Sequence, residues 1–175
     1  KGHTQSVLHA AVDICREITL PLSPTFIPFT PWTTIHGYID LLDAVYNLGL
    51  VEALSPIQLT IRLLVPQGSR LRELDEWRKH EGEFDPSALS FTWRHTNPAV
   101  ESLYLCVREL VSDMENNGMA RQQIFSDVWE AAHIAAHLPT PILEFADIQT
   151  GQPYLSEGWY CCAEPTDLQL AFVES

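Results

Sequence analysis

The chain has 175 residues and a formal charge of −13, with 46% hydrophobic and 19% charged residues. That length and composition fit one soluble domain with a real core and do not fit disorder. The acidic balance excludes the basic footprint that a nucleic-acid backbone or an anionic membrane surface needs, and no apolar run is long enough to span a bilayer.

The opening Lys1-Gly2-His3-Thr4 holds no signal peptide and no methionine, and reads like the end of a strand-to-helix loop within a longer protein. Thr4 is the expected cap of a helix over residues 5–18, where Leu8, Ala11, Val12, Cys15 and Ile18 fall at helical spacing. Prolines forbid a helix in "LPLSPTFIPFTPW", and Thr25, Phe26, Ile27 and Phe29 predict a short strand there. Thr34 then caps a helix over 36–48 that stops at Gly49. Over residues 57–65, Ile57, Leu59, Ile61, Leu63 and Val65 alternate with other residues, which predicts a strand. Residues 70–96 hold many charges and aromatics and read as an irregular excursion. Asn97-Pro98 starts a helix that runs to Asn116. A last helix spans 119–137, followed by loops and a short strand near 142–145.

Helix-strand alternation is the order of a parallel sheet, whose strands are ordinarily apolar on both faces. Gln58, Thr60 and Arg62 instead give the 57–65 strand one polar face. In a parallel barrel that face would line the lumen, and on an edge strand it would meet water. Glu130, His133 and His137 share a helical spacing that suits a metal, or simply a helix end where histidine complements the dipole. No phosphate loop, hydrolase elbow or paired CxxC is present.

Four cysteines, Cys15, Cys106, Cys161 and Cys162, are too few and too scattered for a secreted disulfide framework, so a reduced, cytoplasmic setting is expected. Cys15 and Cys106 lie among helical apolar residues and are expected to be buried and inert. Adjacent Cys161 and Cys162 close only a strained ring, a poor staple and a better redox or metal element. A coincidental, inert pair is the other reading.

Three stretches carry a family resemblance: "PTFIPFTPWTT" (Pro24–Thr34), "PIQLTIRLLVPQGSRL" (Pro56–Leu71) and "CCAEP" (Cys161–Pro165). Together they resemble the radical S-adenosylmethionine (SAM) proteins with a CUAEP/CCAEP tail, across nearly the whole chain. The resemblance implies an α/β fold, the late β/α units of a partial parallel, TIM-like barrel followed by a helical C-terminal extension. Residues 1–96 would be the C-terminal half of the barrel, 97–138 the extension and 139–175 a loop-rich tail. In the family an earlier CxxxCxxC loop holds a [4Fe–4S] cluster. This chain has no such motif, so it is expected to bind no cluster and cleave no SAM by itself.

By the same resemblance Thr33, Thr34, Gln58, Thr60, Arg62 and Gly68 would stand at the wall that cradles SAM. Arg62 suits a carboxylate of SAM or substrate, or a structural ion pair with one of the chain's acids. Cys161 and Cys162 would be the reactive pair. The implied partners are a small-molecule or peptide substrate, the N-terminal half of the same barrel, and other copies of the chain through exposed sheet edge. A non-catalytic redox-relay or metal-binding module on the same scaffold is the alternative.

Overall fold

Helices form where apolar spacing and caps place them. The computed structural model describes residues 5–145; the expected Thr4 cap and the Cys161–Cys162 pair lie outside them. Among the described residues the helices are α1 (Gln5–Glu17), α2 (Ile35–Asn47), α3 (Pro98–Asn116) and α4 (Arg121–Ala135). Thr34 caps α2, its hydroxyl accepting the Gly37 N–H at 2.9 Å. Asn97 caps α3 by accepting the Ala99 N–H at 2.9 Å, and Pro98 fills the first turn, where a missing N–H leaves no bond unmade. At Gly49 and Gly118 the backbone turns left-handed, with φ of 57° and 68°. Leu50 and Met119 then reach back to the carbonyls of Val45 and Met114, closing α2 and α3.

The core lies between α2, α3 and α4. Leu42 and Val45 meet Leu103, Val107 and Val111 of α3 and Ile124, Val128 and Ala132 of α4. Tyr38 joins them, donating from its hydroxyl to the Leu59 carbonyl at 2.9 Å, and burial pushes its pKa far above the ordinary value. Helix α1 is fastened more lightly, by buried Val12 and by Arg16 donating to the Leu48 carbonyl.

The two thiols differ from expectation, since Cys15 is half-buried and Cys106 is exposed. The inward face of α3 runs through Val100, Leu103, Tyr104, Val107 and Val111, and Cys106 falls outside it.

Residues 57–65 do not form the expected strand. Pro56–Leu59 is a tight 3₁₀ turn, in which Gln58 N–H bonds the Ser55 carbonyl and Thr60 N–H the Ile57 carbonyl, both at 2.9 Å. Pro56 presets the turn's φ and needs no donor partner there. An alternating strand would put Gln58 and Leu59 on opposite faces, whereas the turn buries both. The chain extends only afterwards. Phe29 N–H donates to the Ile61 carbonyl at 3.1 Å and Leu63 N–H to the Phe29 carbonyl at 2.8 Å, a lone parallel bridge between Phe29 and Arg62.

The expected strands near 25–29 and 142–145 shrink in the same way. The first keeps only that bridge at Phe29. The second is an extended stretch held by side chains: Trp129 Nε1 donates to the Pro141 carbonyl at 3.2 Å, and the Tyr46 hydroxyl donates to the Glu144 carbonyl at 2.9 Å.

The excursion contains a hairpin that the sequence reading missed. Strands β1 (Glu81–Asp85) and β2 (Ser90–Trp93) pair antiparallel, with Glu81 opposite Trp93 and Asp85 opposite Ser90. Gly82 is required here, because a Cβ would stand 2.4 Å from Thr92 Oγ1 and 2.9 Å from the Thr92 carbonyl oxygen. Asp85 closes the turn by accepting the Ser87 N–H at 2.8 Å and its hydroxyl at 2.6 Å. Val65, Trp77 and Trp93 form a second small core beneath the hairpin. Leu89, 69% exposed, holds φ of 52°, a left-handed conformation that strains any residue with a Cβ. Leu89→Gly is therefore expected to stabilise the protein by about 0.5–1 kcal/mol and raise Tm by roughly 2–3 °C in a thermal melt.

Candidate functional site around Arg62

Arg62 leaves the parallel bridge and enters the seam between α3 and the hairpin, where it is 7% exposed. Its guanidinium carbon lies 3.9 Å from the Trp93 ring centre and 4.6 Å from that of Tyr104, a cation between two π faces. It donates to both oxygens of Glu101, at 2.9 and 3.2 Å, and to the Trp93 carbonyl. A buried cation needs this many acceptors, because water no longer supplies them.

Glu101 sits in the first turn of α3, where a carboxylate also complements the helix dipole. Its Oε2, which Arg62 also reaches, accepts the His95 N–H at 2.8 Å. Burial pushes the Glu101 carboxyl up, but the bonds from Arg62 and His95 and the charges of Arg62 and Arg94 outweigh it, leaving the group below the usual carboxylate range.

His95 completes the cluster. Its Nδ1 accepts the Asn97 N–H at 2.9 Å, which assigns the ring proton to Nε2. Nε2 is buried without a hydrogen-bond partner among the described residues. The His80 ring stands 5.9 Å away, its Nδ1 donating to the Arg94 carbonyl at 3.1 Å. Thr30, Trp93, His95 and Tyr104 border a shallow hollow over Arg62 that is too tight for a water-sized guest.

The residues expected at a polar lumen do not face one. Gln58 is 2% exposed, and its Oε1 accepts the Phe26 N–H at 3.0 Å. Thr60 is buried too, its hydroxyl donating to the Ile57 carbonyl at 2.9 Å. The reason is the turn at 56–59: it carries Gln58 inward to the Phe26 N–H and ends on Thr60, whose hydroxyl folds back to the Ile57 carbonyl. Arg62 takes the ion-pair arrangement with Glu101.

Thr33 plugs the loop after Phe29, accepting the Thr30 N–H at 2.9 Å and donating to the Pro28 carbonyl at 2.8 Å. Thr34 is exposed and occupied as the α2 cap. Gly68 lies on the Pro66–Ser69 turn, with nothing within 4 Å of where a Cβ would stand and no left-handed φ, so neither space nor backbone demands glycine there. Glu130, His133 and His137 do not converge. His133 is buried against Trp129, with Nδ1 on the Trp129 carbonyl at 2.8 Å, while the other two are exposed. Among the described residues no three His, Cys, Asp or Glu side chains are grouped to hold a metal.

Trp93, His95, Glu101 and Tyr104 were the site residues that sequence reasoning missed. The legible signal was Arg62 set between Ile61 and Leu63, since an arginine drawn inward by apolar neighbours must find a carboxylate somewhere. Compared with known protein families, curated proteins and solved structures, the chain matches none. No helix among the described residues is long and apolar enough to cross a membrane.

Proposed function

We propose that this chain is the C-terminal portion of a radical SAM protein of the CUAEP/CCAEP-tail kind, supplying late walls of a partial β/α barrel and a vicinal-cysteine tail. The observation that carries the reading is the parallel Phe29–Arg62 bridge with α2 as its crossover. A parallel pair needs such a crossover, and it sends the C-terminal ends of both segments to the same side. The loops at 30–34 and 64–69 then share one rim, the place where ligands of β/α folds collect. The CCAEP sequence of the tail adds the family-specific part.

The residues present do not fit an iron–sulfur cluster. Such a cluster takes a set of closely spaced thiolates; this chain has no CxxxCxxC, and its described cysteines, Cys15 and Cys106, lie on different helices. SAM and the cluster would be held by the N-terminal half of the same barrel. Arg62 in this arrangement braces the wall through Glu101, and its guanidinium is already matched to a carboxylate.

The chemistry left to this chain is that of Cys161 and Cys162. Two thiols become one disulfide by giving up two electrons and two protons, which an oxidant such as diamide accepts. After diamide treatment of the folded chain, peptide mapping should find the Cys161–Cys162 peptide lighter by about two mass units and resistant to iodoacetamide. Exposed Cys106 should still alkylate. Two tail thiols that stay free under diamide would remove the redox role. The barrel assignment is tested separately, in the reading frame upstream of Lys1. A strand followed by CxxxCxxC is expected there, and a frame without one sinks the assignment.

A further inference from the structure

Helix α3 ends in Asn116-Asn117-Gly118. The backbone nitrogen after an asparagine is close enough along the chain to attack that side chain's amide carbon, and glycine leaves the nitrogen unshielded by any side chain of its own. The chain has four asparagines, and only Asn117 precedes a glycine. Asn97 is followed by Pro98, which has no N–H to give up. Asn47 is followed by the bulkier Leu48, whose N–H is also held by the Ala44 carbonyl at 3.0 Å.

We propose that Asn117 is a deamidation site whose rate is controlled by the folded end of α3. As hydroxide takes its proton, the Gly118 nitrogen bonds to Cγ of Asn117 and the Cγ–Nδ2 bond breaks. Nδ2 takes a proton from water and leaves as ammonia, which restores the hydroxide. The succinimide left behind takes up one water and opens to aspartate, or to isoaspartate, whose main chain runs through Cγ.

Asn117 is exposed, so water and base reach it. The fold nevertheless holds the reacting atoms apart. A ψ of 2° eclipses the Gly118 nitrogen with Asn117's own backbone nitrogen and so turns it away from Cβ, whereas ring closure needs it on the Cβ side. The Gly118 N–H also donates to the Glu115 carbonyl at 3.0 Å, and Nδ2 donates to the Asp113 carbonyl at 2.8 Å. The left-handed φ of 68° at Gly118 and the Met119 N–H on the Met114 carbonyl fix that arrangement. Ring closure therefore waits for the last turn of α3 to open, and helix ends open far more readily than cores.

The product alters the turn that formed it. A carboxylate now stands at the negative end of the α3 dipole, near Asp113 and Glu115 in sequence. Isoaspartate also lengthens the main chain by one methylene, so the Gly118 cap no longer meets the carbonyls of α3. Both changes loosen the connection that sets α4 against α3 in the core. This inference uses neither the tail cysteines nor any upstream sequence, so it stands or falls apart from the proposed function.

Peptide mapping of the full chain, held at mildly alkaline pH with and without urea, tests it. In denaturing urea Asn117 should convert first, with isoaspartate among its products, and Asn47 and Asn116 should lag well behind. In the folded chain Asn117 should convert at least about tenfold more slowly. That rate should stay nearly level in urea too dilute to unfold the core, because the opening is local, and climb within the unfolding transition. Asn117→Asp, which adds the charge without altering the backbone, should lower Tm by about 1–3 °C. Equal rates at Asn117 in folded and unfolded chain would show that the end of α3 controls nothing. An Asn117 no faster than Asn47 in denaturing urea would remove the site itself. A folded-state rate that rises steadily through dilute urea would assign the reaction to global unfolding and overturn the local control.

Discussion

Glu101→Ala is expected to lower the unfolding free energy by about 3 kcal/mol in a urea titration at pH 7. The substitution leaves the Arg62 guanidinium 7% exposed, between Trp93 and Tyr104, with the Trp93 carbonyl as its remaining acceptor of the three described. It also frees the His95 N–H that Glu101 accepts at 2.8 Å. An uncompensated buried charge, rather than the lost attraction alone, sets the size of the effect. Replacing both partners with apolar residues, Arg62→Met with Glu101→Leu, should therefore cost less than Glu101→Ala alone.

The pH dependence follows from the direction of the shift. The folded-state pKa of Glu101 is depressed, so the pair's contribution is fully present above the unfolded value, about 4.3, and is lost as pH falls through the lower folded value. The gap between wild type and Glu101→Gln should stay constant from pH 7 to about 5 and close below about pH 4. A gap that is unchanged at about pH 3, or a Glu101→Ala effect under about 1 kcal/mol, would mean that the carboxylate is not what holds Arg62.

Trp93→Ala is expected to cost about 4 kcal/mol, because one side chain joins three parts of the structure. Its ring is 6% exposed and meets Trp77 edge-on, with ring centres 6.2 Å apart, in the small core under the hairpin. Its face takes the Arg62 guanidinium, and its Nε1 donates to the Leu63 carbonyl at 2.8 Å, beside the parallel bridge. Trp93→Phe keeps much of the packing and the π face but leaves the Leu63 carbonyl without that donor, a loss of about 1–2 kcal/mol. Chemical denaturation measures both variants, and near-ultraviolet circular dichroism reports whether Trp77 keeps its fixed environment. Equal losses for Phe and Ala would assign the whole effect to the indole N–H, against the joint described here.

The sequence by itself determined the helices and their ends. Thr34 and Asn97 act on N–H groups two or three residues away, and Pro98, Gly49 and Gly118 act on their own backbone, so the cause lies within a few residues of the effect. Acidic charge and composition are likewise properties of the residues alone. Alternation over 57–65 was real but ambiguous, because a 3₁₀ turn followed by an extended stretch buries Leu59, Ile61 and Val65 as well as a strand would. Only the tertiary structure decided between them, by offering Gln58 the Phe26 N–H and giving Arg62 a carboxylate 39 positions away. It also decided the exposure of Cys106, which depends on which arc of α3 its neighbours leave uncovered. The hairpin at 81–93 escaped the sequence because acids and a glycine dominate β1, and its stability comes from Trp77 and Trp93 packing beneath it. Local chemistry sets where a helix begins. Which buried charge meets which partner depends on contacts between residues that the chain itself keeps far apart.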